Sequence, residues 1–223
     1  MMKYPFSLTN KEKIAQELRH SIFFGELHSG QELIQDTLAK ELGVSRMPVR
    51  DALSTLQSEG LVEHIPNRGY FVRNLSRDFF KDYYDIRIMF EYQACCGVCD
   101  TQEDLSVLQR IKDEEKDRYM AGDISALSQL NDELYEFIGA NCGSPRLAAY
   151  LRHMRSLTPR QISTPSEERS NFIYESFTYH QNLVDAIEAR DKEQCARLVA
   201  AQLGRAKEHY FAIRNALHLD EKE

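Results

Sequence analysis

Apolar residues at Ile14, Leu18 and Ile22 recur every four positions with charged side chains between them, a spacing that predicts one amphipathic helix from Asn10 to Gly25. A turn segment containing Gly25 and Gly30 follows. The run "IQDTLAKEL" then places Leu38, Ala39 and Leu42 on one helical face, and Gly43 stops it. Only Val44 separates that glycine from Ser45, a side chain suited to cap the next helix. Helix, glycine turn and helix in this order predict a helix-turn-helix. In the second of these helices Pro48 occupies the first turn, where a missing N–H is harmless. Val49, Ala52, Leu53 and Leu56 form its apolar stripe, with Met47 beside Val49 and Leu53 resembling core. Arg46 and Arg50 are one turn apart and share a face that Ser54 and Gln57 continue toward solvent. After Gly60 the stretch "LVEHIPNRGYFV" reads as two short β-runs joined by Pro66, Asn67, Arg68 and Gly69. Three helices and a hairpin make a winged helix.

Beyond Arg77 the grammar changes. Long stripes of helical period run through Ile124, Leu127, Leu130, Leu134, Phe137 and Ile138, through Ile173, Phe177, Val184 and Ile187, and through Val199, Leu203, Ala206, Tyr210 and Leu217. Four to six long helices without a strand signal predict an antiparallel bundle. The clearest break is "LTPRQISTPSEE", with Pro159 and Pro165. The expected fold is mainly α: a winged helix-turn-helix over residues 1–75, then an all-helical bundle over 76–223.

Composition refines this picture. The net charge of −7 argues at first against a nucleic-acid partner, since phosphate neutralisation by Lys and Arg supplies most non-specific affinity. The distribution reverses the argument. Residues 1–75 carry nine basic and nine acidic side chains, whereas the remainder carries 19 against 26, so all the excess acid lies in the bundle. No apolar run approaches the roughly 20 residues that cross a bilayer, and "MMKYPFSLTNKEK" has no signal-peptide core, which predicts a cytoplasmic protein without membrane attachment. The five cysteines do not form a disulfide framework and are expected to be reduced. "CCGVC" contains a lone CxxC at Cys96 and Cys99. With no second pair beside it, Cys95, Cys96 and Cys99 read as small apolar residues of a helix.

The motifs "IAQELRHSIFFGEL", "LAKELGVSRMPVRDALSTLQSEGLV" and "NRGYFV", in that order, resemble the GntR family of bacterial transcription regulators. The second part is similar to the helical ligand-binding domain of the FadR-like (FCD) subfamily through "YYDIRIMFE", "FIGANCGSPRL" and "YHQNLVDAIEARDKEQCARLVAAQL". The resemblance implies that Arg46 and Arg50 face DNA from the recognition helix and that Gly69 lets the wing approach the minor groove. The physics is compatible: a guanidinium fork can bond guanine O6 and N7 or clamp a phosphate, and Ser45 with the N–H groups of the helix start can hold phosphate oxygens. Ser45, Arg46, Met47, Arg50, Asn67, Arg68 and Gly69 are therefore the expected DNA-binding residues. The alternative for the arginines is a solvated helix face. Asp36 departs from the family pattern, placing an acid where many relatives carry a basic or neutral residue near the phosphates.

In the subfamily a divalent metal is commonly held by an aspartate, a histidine four residues later and two further histidines. The matching positions here are Asn131, Tyr135, His180 and Gln202, of which only His180 is a typical ligand. Neutral amides and a protonated phenol lack the charge such a site needs, so neither a tight metal nor another cofactor is expected. Asn131, Tyr135 and His180 lie on or beside apolar stripes, and because these three and Gln202 match positions that line the subfamily's effector cavity, the resemblance implies that they line a small-organic-effector site; the competing reading is a satisfied internal hydrogen-bond network. Arg87 is a further candidate, as the anchor of a carboxylate or phosphate, or simply as the i, i+4 partner of Glu91. The chain is thus expected to be a homodimeric regulator, not an enzyme, that acts as a repressor on a palindromic operator and is released by a small organic effector. Two alternatives differ in class: a hydrolase using His180, weakened by the lack of a recognisable nucleophile or neighbouring carboxylate, and a winged helix that docks protein instead of DNA.

Overall fold

The structure, a computed structural model, describes residues 9–157 and 166–219. The extreme start of the chain and the break around Pro159 and Pro165 lie outside them. Among the described residues the order is α1 (Asn10–Phe23), β1 (Glu32–Leu33), α2 (Gln35–Glu41), α3 (Arg46–Ser58), β2 (Val62–Ile65), β3 (Gly69–Val72), α4 (Arg77–Asp100), α5 (Ser106–Met120), α6 (Ile124–Asn141), α7 (Pro145–Ser156), α8 (Ser166–Glu188) and α9 (Lys192–Ala216). The fold is mainly helical, with one small antiparallel sheet of order β1-β3-β2. No described helix is long and apolar enough to cross a membrane.

The chain divides into two compact units. One comprises residues up to Phe80 together with the chain end from Tyr210, and the other runs from Lys81 to His209.

In the first unit α1 begins with a capping box. Thr9 Oγ1 accepts from the Glu12 N–H while the Glu12 carboxylate accepts from the Thr9 N–H, so two donors at the helix start are satisfied. The stripe of α3 is fully sequestered, with Val49, Ala52, Leu53 and Leu56 at 0 % exposure. Ser45 has the extended backbone of an N-cap, yet its hydroxyl makes no capping bond. Met47 is 55 % exposed and is not core: one position past Arg46, it falls outside the Val49–Leu53–Leu56 stripe. The segment read as a pure turn contains β1, whose Leu33 pairs with Tyr70 and is buried. Two residues are too few for alternation to reveal a strand. The wing forms as expected: Val62 pairs with Val72 and Ile65 with Gly69, and the Arg68 N–H donates to the Ile65 carbonyl at 3.0 Å. Asn67 (φ 63°) and Gly69 (φ 106°) supply the left-handed conformations that close this turn.

Arg19 of α1 binds Glu59, the C-cap of α3, through two bonds of 3.0 and 2.7 Å that are almost closed to solvent. The chain end joins this unit through aromatic packing. Tyr210 donates its hydroxyl to the Phe23 carbonyl at 3.1 Å, Phe80 meets both rings, and Arg214 lies 4.5 Å above Phe80 while donating to the Leu75 carbonyl.

The core of the second unit gathers Ala94 and Val98 of α4, Leu108 and Ile111 of α5, Leu134 and Ile138 of α6, Leu183 and Ile187 of α8, and Val199 of α9. Gly97 lets α4 pass against the backbone at Cys142, where a Cβ would collide with the carbonyl. Arg190 ties off the end of α4 by donating Nη1 to the carbonyls of Val98, Cys99 and Thr101 at 2.9–3.0 Å. The five cysteines are free thiols and all are buried. Burial raises the Cys95 and Cys99 thiols, and burial with the neighbouring Cys99 pushes Cys195 up to about 12. Thiolates are therefore scarce at neutral pH. In the native protein these three thiols are expected to resist an aromatic disulfide reagent at pH 8 and to react promptly once denaturant is added; rapid titration of the folded chain would contradict this packing.

A candidate nucleic-acid interface and a buried charged network

The apolar side of α3 is closed within its own unit, so the opposite side is what the helix can offer to a partner. Ser45, Arg46, Met47 and Arg50 are all exposed on it. Arg46 is not idle. Its Nε donates to Gln35 Oε1 at 3.0 Å and its Nη1 to Asp36 Oδ2 at 3.3 Å, both on the first turn of α2. Arg50 lies 3.9 Å from Asp51, a loose surface pair worth little. In the wing, Asn67 and Arg68 are exposed, and the Arg68 guanidinium sits 5.3 Å from the centre of the Phe71 ring. Every residue expected from the sequence to touch DNA is thus accessible at the tip of α3 or of the wing, except Gly69, which is half-buried behind the turn.

The second unit holds a chain of buried polar groups. Arg87 Nε donates to Glu91 Oε1 at 2.6 Å, and Arg155 of α7 approaches the same oxygen at 3.7 Å. The Tyr135 hydroxyl donates to Glu91 Oε2 at 3.1 Å and meets the Tyr179 hydroxyl at 3.2 Å; since its single proton is committed to Glu91, Tyr179 is the donor there. The Arg155 guanidinium lies 3.2 Å above the Tyr135 ring. Burial and the Glu91 charge push the Tyr135 hydroxyl far above the ordinary phenol range, and burial with Tyr135 does the same to Tyr179. Both therefore stay protonated as donors. Beside them His180 Nδ1 lies 2.6 Å from Glu115 Oε1, and Gln181 donates to the other Glu115 oxygen at 3.0 Å.

Of the five residues expected to line an effector site, the structure joins Arg87 and Tyr135 through Glu91, and His180 borders Tyr135 with ring centres 6.2 Å apart. Asn131 and Gln202 bond locally instead, Asn131 to Asp132 and Gln202 to Arg205. The expectation that His180 has no carboxylate nearby is corrected by Glu115. That residue sits in the charged run "KDEEKDR", which reads as solvated surface, but its spacing from Leu108 and Ile111 puts it on the buried stripe of α5. Arg155, four residues after buried Leu151, and Tyr179, four before buried Leu183, carry the same signal.

The metal known from the subfamily does not fit these groups. Glu115 orients the His180 ring as a carboxylate does behind a metal-bound histidine. The remaining positions offer two amides already bonded to neighbours and a phenol held protonated and aimed at Glu91. Among the described residues no group of three or more His, Cys, Asp or Glu side chains is arranged to hold a metal ion.

Comparison with known proteins places these two units in context. Residues 10–72 match the model of bacterial regulatory proteins of the gntR family, and residues 82–205 match the FCD domain. The chain is 25 % identical over 198 residues to the HTH-type transcriptional regulator YdhC of Bacillus subtilis, covering 86 % of this chain and 87 % of that protein. It is 28 % identical over 178 residues to the Nta operon transcriptional regulator of Aminobacter aminovorans, covering 78 % and 81 %. Among solved structures, McbR/YncC of E. coli superposes with a TM-score of 0.64 at 22 % identity, covering 92 % of this chain and 98 % of that one, a likeness of fold.

Proposed function

We infer, from the premise that this chain belongs to the GntR family of bacterial regulatory proteins and carries an FCD domain, that α3 and the wing read a palindromic operator and that a small organic effector controls their hold on it. The protein is a transcriptional regulator and not an enzyme, as its relatives are. The observation that carries the DNA-reading proposal is the two-sidedness of α3: one side has no solvent exposure at Val49, Ala52, Leu53 and Leu56, and the other presents Ser45, Arg46, Met47 and Arg50 outward.

In this reading Arg46 and Arg50 enter the major groove, Met47 offers an apolar contact of the kind that suits a thymine methyl, and Ser45 holds a phosphate at the helix start. Asn67, Arg68 and Gly69 bring the wing to the minor groove. One recognition helix spans only a few base pairs, so specificity calls for two copies on half-sites about one helical turn, roughly 34 Å, apart. A homodimer is proposed on that ground. The effector would act in the second unit, with Arg87, Tyr135, His180, Asn131 and Gln202 as its contacts, and would release the operator by favouring a dimer geometry that no longer spans both half-sites.

The test uses a duplex recovered by the wild-type chain from a randomised library. Arg50→Ala is expected to weaken binding to it by about 1–3 kcal/mol and to relax the preference at one base pair of each half-site. Undiminished affinity and preference would remove α3 from the interface and favour the protein-docking alternative.

A further inference from the structure

Arg46 is the residue on the α3 face with two side-chain partners from another helix. Its contacts with Gln35 and Asp36 cannot matter much for stability, because an ion pair whose side chains are 63 % and 71 % exposed is worth little. They do matter for geometry. An arginine side chain has about 2 kcal/mol of rotamer entropy to lose when it is fixed, and here α2 has already restricted it before any partner arrives.

The proton count shows how. A guanidinium has five N–H groups, one on Nε and two on each Nη. Gln35 takes the Nε proton and Asp36 one on Nη1. Three remain, one on Nη1 and two on Nη2, so each nitrogen of the far-end fork formed by Nη1 and Nη2 keeps a donor. That fork matches guanine O6 and N7. The alternative fork, which uses Nε and is equally able to clamp a phosphate, is engaged by Gln35. Asp36 adds a second bias: a carboxylate close to the guanidinium offsets part of its charge and repels phosphates, which lowers sequence-independent attraction without blocking a bidentate bond to a base.

We propose that Gln35 and Asp36 are positioning residues that commit Arg46 to end-on recognition of a guanine, trading general DNA affinity for sequence selectivity. This rests on the reading that Arg46 meets a base edge. It assigns a role to the acid at position 36, which otherwise only weakens a DNA-binding surface.

Four full-length chains separate the effects: wild type, Asp36→Asn, the double substitution Gln35→Ala with Asp36→Ala, and Arg46→Ala. Each is tested for folding by its thermal melt, then titrated against the library-selected duplex, the same duplex with each G·C pair changed in turn, and a scrambled duplex at two salt concentrations. Asp36→Asn keeps an acceptor but loses the charge, so it is expected to bind the scrambled duplex more tightly while keeping the base preference. The double variant is expected to gain the same general affinity and to lose about threefold to tenfold of the preference at one G·C pair, a fraction of the whole bidentate contact. Arg46→Ala should abolish preference at that same pair. If the double variant keeps the full preference, α2 does not position Arg46 and the proposal fails. If Arg46→Ala itself keeps the preference, the error lies in the placement of Arg46 on a base, and the reading beneath the proposal falls with it.

Discussion

Glu91→Ala is expected to lower the stability of the second unit by about 3–5 kcal/mol, the usual cost of removing one partner from a buried ion pair. The reason is electrostatic accounting within a small volume. Glu91 is 1 % exposed and accepts from Arg87 and Tyr135 while Arg155 approaches it, so one carboxylate answers two guanidinium groups and a hydroxyl. Burial alone would disfavour the Arg87 charge; Glu91 foremost, with Tyr83 and Tyr135, more than offsets this and keeps it protonated. Without Glu91, Arg87 would remain cationic in the core with its principal counter-charge gone. Glu91→Gln should fall between the two, because an amide oxygen can still accept from Tyr135 but carries no charge. Urea melts of the three chains followed by far-UV circular dichroism measure the order. Formate or acetate, each small enough to enter the vacated space, should restore part of the loss in Glu91→Ala and do little for wild type. An alanine variant within about 1 kcal/mol of wild type would mean that the guanidiniums are solvated in solution.

That network also marks where reading the chain reached its limit. The winged helix was legible because its elements are short-range: apolar spacing placed α1 and α3, glycine and asparagine placed the turns, and a recognisable motif pointed to the family. The buried charges were harder. Arg87 with Glu91 is a local pair, visible from their separation along one helix. Glu91 with Tyr135 and Arg155, and Glu115 with His180, join helices distant in sequence, and nothing in one stretch announces its partner in another. Charged residues are usually solvated, so "KDEEKDR" reads as surface unless the buried stripe is counted through it. Met47 failed in the opposite direction: an apolar side chain beside core positions looked internal, although its angular position on α3 leaves it in solvent. The same geometry that exposes Met47 exposes Arg46, and both follow from which side of α3 the first unit's core occupies. Asp36 was legible as an oddity. Its bond to Arg46 was not, because the tight turn between α2 and α3 decides which of their side chains meet.

Breaking the Arg19–Glu59 pair is expected to cost the first unit about 3–5 kcal/mol through either partner, and to reduce DNA binding without touching a DNA-facing residue. Glu59 caps the C-terminal end of α3, where the helix dipole disfavours an acid and no basic residue in the last turn offsets it. Arg19 supplies that charge from α1 in a two-bond fork, with 6 % and 3 % of the side chains exposed. The pair therefore does two things: it neutralises an unfavourable end and it fixes the angle between α1 and α3. Glu59→Ala leaves a guanidinium buried without its counter-charge, and Arg19→Ala leaves a carboxylate in the same position. The combined Arg19→Leu with Glu59→Leu removes both charges and is expected to recover much of the loss, since apolar contacts can replace a buried pair at small net cost. A double-mutant cycle from chemical melts gives the coupling. Titrating the selected duplex well below each melting temperature then separates stability from orientation. If the Leu pair is stable but still binds weakly, the fork sets the presentation of Arg46 and Arg50. If affinity returns together with stability, its contribution is to the fold alone. Additive single losses near zero would show that water, and not Arg19, satisfies Glu59 in solution.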